Sequence, residues 1–155
     1  MSVVVADTSP LHYLLLCDVV EVLPVLFHSI VIPPMVCREM QAANAPQIVR
    51  NWAGNLPDWV SVNTPRPATL PWKIDPGEMQ AITLALELDA RLLLMDDRAG
   101  RRVALECGLA VTGTLGVLEL AAVSGLLDLP TVLAKLRHTN ARFAETLLEQ
   151  VLQRD

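Results

Sequence analysis

Short apolar runs alternate with stretches of helical period along the whole chain, and the apolar runs end on acidic or turn-forming residues. Ser2 to Ala6 is apolar and β-branched, which predicts a strand buried on both faces. Asp7-Thr8-Ser9-Pro10 follows, and Ser9 before Pro10 is a helix-start signal. Leu11 to Leu26 has a helical pattern, in two pieces broken at Pro24. Ser29 to Ile32 predicts a second strand, Pro33-Pro34 opens a helix through about Ala43, and Pro46 to Asn55 predicts another with Trp52 on its apolar face. Trp59 to Val62 reads as a short edge strand, and Thr64 to Pro76 is a proline-rich loop. Pro76 to Asp89 predicts a helix with Ile82, Leu84, Ala85 and Leu88 inward.

Leu92 to Met95 is the clearest buried strand, and it runs straight into Asp96-Asp97-Arg98. A helix from Ala99 to Cys107 closes at Gly108. Leu109 to Thr112 predicts a further strand, and Thr114 to Ser124 a helix. Leu129 to Thr139 and Ala141 to Leu152 are amphipathic. Strands alternating with helices imply βαβ units: an α/β fold, a three-layer α/β/α sandwich with a mainly parallel central sheet. Right-handed crossovers bring the carboxyl ends of the strands to one edge, where open α/β sheets bind ligands.

A length of 155 residues suits a single domain, 1–155, and 52% apolar content supplies a core. The net charge of -5 argues against a protein that coats nucleic acid through charge alone, though not against a local basic patch. Cys17, Cys37 and Cys107 are odd in number and lack zinc spacing, which suits reduced thiols in a cytoplasmic protein. The first apolar run lacks a basic flank and is interrupted by Asp7, unlike a signal peptide. Leu109 to Leu127 comes nearest to a membrane span but carries Glu119, two threonines and three glycines, so no membrane association is expected.

The candidate chemistry is acidic. Asp7 ends the first strand and Asp96 a later one, while Glu39 and Glu78 sit in helices early enough to reach the same edge. Carboxylates gathered there repel one another unless a cation or a proton lies between them. Each also has an ordinary structural reading. Asp7 and Asp97 can cap the helices that follow them, Asp75-Pro76-Gly77-Glu78 has the form of a capping box, and Glu39 can be a solvated helix residue. Asp96 lies one residue before the expected cap, so capping explains it least. Arg98, Arg101 and Arg102 follow the acidic pair and can steer a phosphate backbone, or can simply form a solvated helix face.

Five short motifs resemble those of PIN domains, in order, over residues 3 to about 125. They are Val5 to Pro10, Ile32-Pro33 to Val36 leading to Glu39, Asp75 to Glu78, Leu93 to Arg98, and Val111 to Gly116. The resemblance implies a metal-dependent ribonuclease fold with Asp7, Glu39, Glu78, Asp96 and Asp97 as catalytic and metal-binding carboxylates for Mg²⁺ or Mn²⁺. Ser9 matches the small hydroxyl residue beside the first aspartate. Arg98, Arg101 and Arg102 join it as expected contacts to an RNA substrate. Many toxin-type PIN domains carry aspartate where this chain has Glu78.

The expected function is therefore a hydrolase of RNA phosphodiester bonds, an endoribonuclease acting as the toxin of a toxin–antitoxin pair with a cognate antitoxin protein. The alternative is a PIN-fold module that binds RNA or protein and cuts little. A receiver-like domain also gathers aspartates at strand ends but needs a lysine late in the sheet, and the only late lysine is Lys135. Apolar stripes at Leu129, Val132, Leu133 and Leu136, then at Phe143, Leu147, Leu148, Val151 and Leu152, predict a homodimer, or a groove for the antitoxin.

Overall fold

The computed structural model describes residues 2–67, 71 and 73–139. Among them, the strands are β1 (Val4–Ala6), β2 (Ile30–Ile32), β3 (Val60–Val62), β4 (Leu92–Leu94) and β5 (Val111–Thr112). They form one sheet in the order β3-β2-β1-β4-β5, and all four pairings are parallel. The central strands β1 and β4 are short and apolar because both faces are covered. The period-2 alternation sorts the side chains: Val4, Ala6 and Leu94 belong to one core cluster, Val5 and Leu93 to another.

The first cluster takes its helical side from α1 (Thr8–Leu16), α2 (Val22–Phe27), α4 (Gln47–Gly54), α7 (Thr114–Val123) and α8 (Leu129–Arg137), through residues such as Leu11, Leu23, Val49, Leu118 and Leu133. It also holds Val36 and Met40 of α3 (Pro34–Met40). The second takes Ala81, Ile82 and Ala85 from α5 (Pro76–Glu87) and Val103 and Ala104 from α6 (Arg98–Glu106). This is the three-layer α/β/α architecture with a parallel sheet.

The topology positions the site. From β1 the chain steps outward to β2 and β3, then returns to place β4 on the other side of β1. The order therefore reverses between β1 and β4, the place where such sheets leave a crevice beyond the strand ends. Ala6 is in register with Leu94, so the residues that follow β1 and β4 emerge side by side.

Several local expectations change. Helix α1 begins at Thr8, with Asp7 in the cap position. Pro10 is its third residue, within the first turn, where no backbone N–H is needed. The interruption after α1 falls at Cys17 to Glu21, around Asp18 with φ of 59°, and not at Pro24, which is tolerated in the first turn of α2. Helix α3 ends at Met40 rather than near Ala43, so Glu39 lies in its last turn and not in its middle. Val60–Val62 is the edge strand expected.

Trp52 packs against Trp59 with ring centroids 5.9 Å apart. The α8 stripe of Leu129, Val132, Leu133 and Leu136 is buried within the chain, so it offers no interface. The expected helix at Ala141 to Leu152 and its stripe lie outside the described residues. Leu109 to Leu127 divides into β5 and α7, and no described helix is long and apolar enough to cross a membrane.

Candidate acidic active site

Asp7 sits at the centre. Its backbone N–H donates to the Leu94 carbonyl at 2.9 Å, which ties the end of β1 to the end of β4. Its side chain is only 5% exposed and makes no helix-capping hydrogen bond, so capping is not why it is there. Burial pushes its carboxyl up to about 7. Glu39, Asp75 and Asp96 add repulsion, and the Thr8 backbone N–H offsets part of the rise.

Glu39 reaches Asp7 from the last turn of α3. The Thr8 hydroxyl donates to its Oε2 at 2.8 Å, a bond between residues 31 apart in sequence. Burial and Asp75 raise its pKa. Its carboxylate lies where a Cβ on residue 77 would stand, so Gly77 is what lets α5 approach. Glu78 is the third residue of α5 and completes the capping box: Asp75 Oδ1 accepts from the Gly77 and Glu78 N–H groups, and Glu78 Oε1 accepts from the Asp75 N–H. Burial, then Asp97 and Asp7, push the Glu78 carboxyl up to about 8. The cap and the site are one arrangement: the box that starts α5 also brings Glu78 and Asp75 within electrostatic range of Asp7.

Asp96 is held differently. Its Oδ1 accepts from the Thr114 backbone N–H and its Oδ2 from the Thr114 hydroxyl, each at 2.7 Å. Burial raises its pKa, while those two bonds and the nearby Arg101 guanidinium oppose the rise. Asp97 is the cap expected of it, accepting from the Gly100 N–H at 3.0 Å. It acts on the site through Glu78. Arg98, Arg101 and Arg102 line one wall of an open groove of about 910 Å³ that has Asp96 at its head.

Five expected carboxylates thus gather at one sheet edge, with Asp7, Glu39, Glu78 and Asp96 as one electrostatic group. The hydroxyl beside Glu39 comes from Thr8, not from its neighbour Ser9. Thr8, Asp75 and Thr114 were not among the expected site residues. The local pattern at Asp75 signals only a cap. The two threonines stand directly after Asp7 and Gly113 within the quoted motifs, but which carboxylate each one meets depends on contacts far apart in sequence.

Among the described residues, no three His, Cys, Asp or Glu side chains converge tightly enough to hold a metal ion as they stand. The donor set still suits a hard divalent ion. It is made of carboxylates, buried at Asp7 and partly buried at Glu39, Glu78 and Asp96, with raised pKa values, and Mg²⁺ is commonly held by only one or two carboxylates with waters and substrate phosphate completing its shell.

A sequence-family profile described as a PIN domain (DUF3368) matches residues 3–155. The chain belongs to this family, within a superfamily made up mostly of nucleases that commonly use divalent metals. Among solved structures, a PilT N-terminus domain protein from the hyperthermophilic archaeon Sulfolobus solfataricus is similar, at 18% identity and a TM-score of 0.49, over 90% of this chain and 98% of that one. A search of curated proteins finds no match.

Proposed function

We propose that the protein is an Mg²⁺- or Mn²⁺-dependent endoribonuclease, the toxin half of a toxin–antitoxin pair. The observation that carries this reading is the pair of crowded carboxyls at the sheet's switch point, buried Asp7 at about 7 and half-buried Glu78 at about 8, poised to exchange a proton for a cation. Asp7, with Glu39, Glu78 and Asp96 around it, would hold the ion. A bound divalent ion supplies charge neutralisation on the scissile phosphate and a water of lowered pKa.

The chain's own groups do the rest. Thr114 fixes the rotamer of Asp96 and Thr8 that of Glu39, so both carboxylates keep their direction. Arg101, beside Asp96, supplies a cation for a phosphate oxygen at the edge of the cluster. The low-dielectric setting of Asp7 strengthens any charge interaction made there. Purified protein should cleave single-stranded RNA with Mg²⁺ or Mn²⁺, stop with a chelator and lose cleavage in Asp7→Asn. Cleavage that persists in both cases would come from another site or another protein.

A second reading, a PIN-fold module that binds RNA or protein and cuts little, draws support from the absence of a converged triad among the described carboxylates. RNA binding without metal-dependent turnover would favour it. For assembly we carry forward a homodimer in the cytoplasm with a cognate antitoxin. Light scattering showing a monomer at micromolar concentration would remove the dimer.

A further inference from the structure

Helix α3 has to be aimed. It runs only from Pro34 to Met40, too short to hold its shape or direction alone. Val36 and Met40 are buried in the first core cluster and seat it on the fold. Apolar burial is non-directional, so it sets how deep the helix lies more than which way its axis points. The last turn carries Glu39, which accepts from the Thr8 hydroxyl and lies against Gly77 of α5. An attachment at that end alone leaves a short helix free to rock on its buried side.

The first turn is tied by Gln80. The cap residue of α3 is Pro33 and its first residue is Pro34, and neither carries a backbone N–H. The Val36 and Cys37 N–H groups both turn back to the Pro33 carbonyl, at 3.1 and 3.4 Å. Met35 is left with the one first-turn donor that has no acceptor inside the helix. A proline cap has no side-chain oxygen to offer it. Gln80 of α5 takes it instead, its Oε1 accepting from the Met35 N–H at 3.1 Å across 45 positions of sequence. A backbone N–H only donates, so the amide oxygen is the atom that faces it.

The two attachments match in spacing. Met35 and Glu39 are separated by about 6 Å along α3, and Gly77 and Gln80 by about 4.5 Å along α5. The helices therefore meet at two points, in opposite senses, and α5 is the helix whose first turn carries Glu78. We propose that Gln80 is a positioning residue of the acidic site: by capping α3 from α5, it fixes where Glu39 stands relative to Glu78. A rocking of α3 by about 10° across that lever of about 6 Å displaces one end against the other by about 1 Å. Functional constellations are held within about 0.5 Å, so the displacement matters. The inference rests on the reading of the acidic edge as a divalent-metal site.

Calorimetric Mn²⁺ binding by the 155-residue chain tests it without reference to RNA. Gln80→Leu removes the acceptor and keeps the bulk, and Gln80→Ala removes it with the best helix former. Both should bind Mn²⁺ about tenfold more weakly than the parent, the lower end for losing a residue that orients a metal ligand. Both should stay folded by circular dichroism, since Gln80 is only half-buried. In a Glu39→Gln background, Gln80→Leu should cost less than about twofold further, because the carboxylate it acts through is already gone. A general loosening of the fold would instead multiply the two losses. Variants that bind as the parent does, losses that multiply, or variants that fail to fold would each overturn the role of Gln80 and leave the metal site standing. Gln80-dependent Mn²⁺ binding without any RNA cleavage would overturn the nuclease and leave the brace. No Mn²⁺ binding by the parent would overturn both.

Discussion

The ends of β1 and β4 are alike in position and unlike in chemistry. Both strands are apolar and both run into an aspartate at the same edge, Asp7 one residue beyond the paired Ala6 and Asp96 two residues beyond its partner Leu94. Asp96 has its two oxygens satisfied by Thr114 and a guanidinium close by. Asp7 is buried among Glu39, Asp75 and Asp96, with little to stabilise its charge. One aspartate is anchored and the other is stressed. Position in a parallel sheet places a carboxylate, but its partners decide whether it stabilises the fold or stores free energy that a cation can release.

The largest effect should come from asking each aspartate for the same change. Asp7→Asn should lower RNA cleavage at least about a hundredfold, above the usual cost of losing an outer-sphere partner of a metal. The same substitution should raise the melting temperature of the metal-free protein, because it removes a buried, repelled charge. Asp96→Asn should also reduce cleavage but lower the melting temperature, since charge-assisted bonds of about 1.5–3 kcal/mol are weakened. A melting shift of the same sign in both variants would erase the distinction between the two strand ends.

Metal should come next in size. Mn²⁺ at a hundredfold excess over its Kd stabilises by about 2.7 kcal/mol, worth about 5–10 °C in a domain of this size. The shift should be larger at pH 8.5 than at pH 6, because Asp7 and Glu78 exchange their protons in that interval. It should shrink sharply in Asp7→Asn and less in Thr114→Val. Calorimetric scans at the two pH values measure this directly.

Without metal, pH alone should act on the stressed end. Asp7 ionises near 3.8 when unfolded and near 7 when folded, so stability present below pH 4 is lost as pH rises toward 7. Glu78 extends the loss from 4.5 to about 8, by a smaller amount because it is half-exposed. The total should be on the order of a few kcal/mol. Urea midpoints at pH 5 and pH 8 in a chelator should differ in that direction, and the difference should diminish in Asp7→Asn. A metal-free protein more stable at pH 8 would contradict the crowding at Asp7.

The smallest effect should be at Thr8. Thr8→Val removes one hydrogen bond to Glu39, at about 1 kcal/mol, and should lower cleavage less than any carboxylate change. If it equals Asp7→Asn in activity, then the orientation of Glu39 matters as much as the central charge.

Apolar runs such as Val4–Ala6 and Leu92–Leu94 announce buried parallel strands because they are short, continuous and apolar and are followed by turn and helix-start residues. Asp75 to Glu78 announces its own capping box because capping is local, closed within four residues. Asp7 and Asp96 at one edge follow from the βαβ pattern once the strands are known. In those respects the amino-acid sequence by itself determined the fold class and where the acidic residues meet. It did not separate Asp7 from Asp96, nor name Thr8 over Ser9, nor place Glu39 over Gly77, nor set the arginines along a groove that also holds Asp96. Those depend on contacts between residues 18 to 38 apart and on burial, which no local window contains. Only the tertiary structure decided them, because a carboxylate's charge state follows from its full surroundings, and packing brings those surroundings together from α1, α3, α5 and the loop after β4.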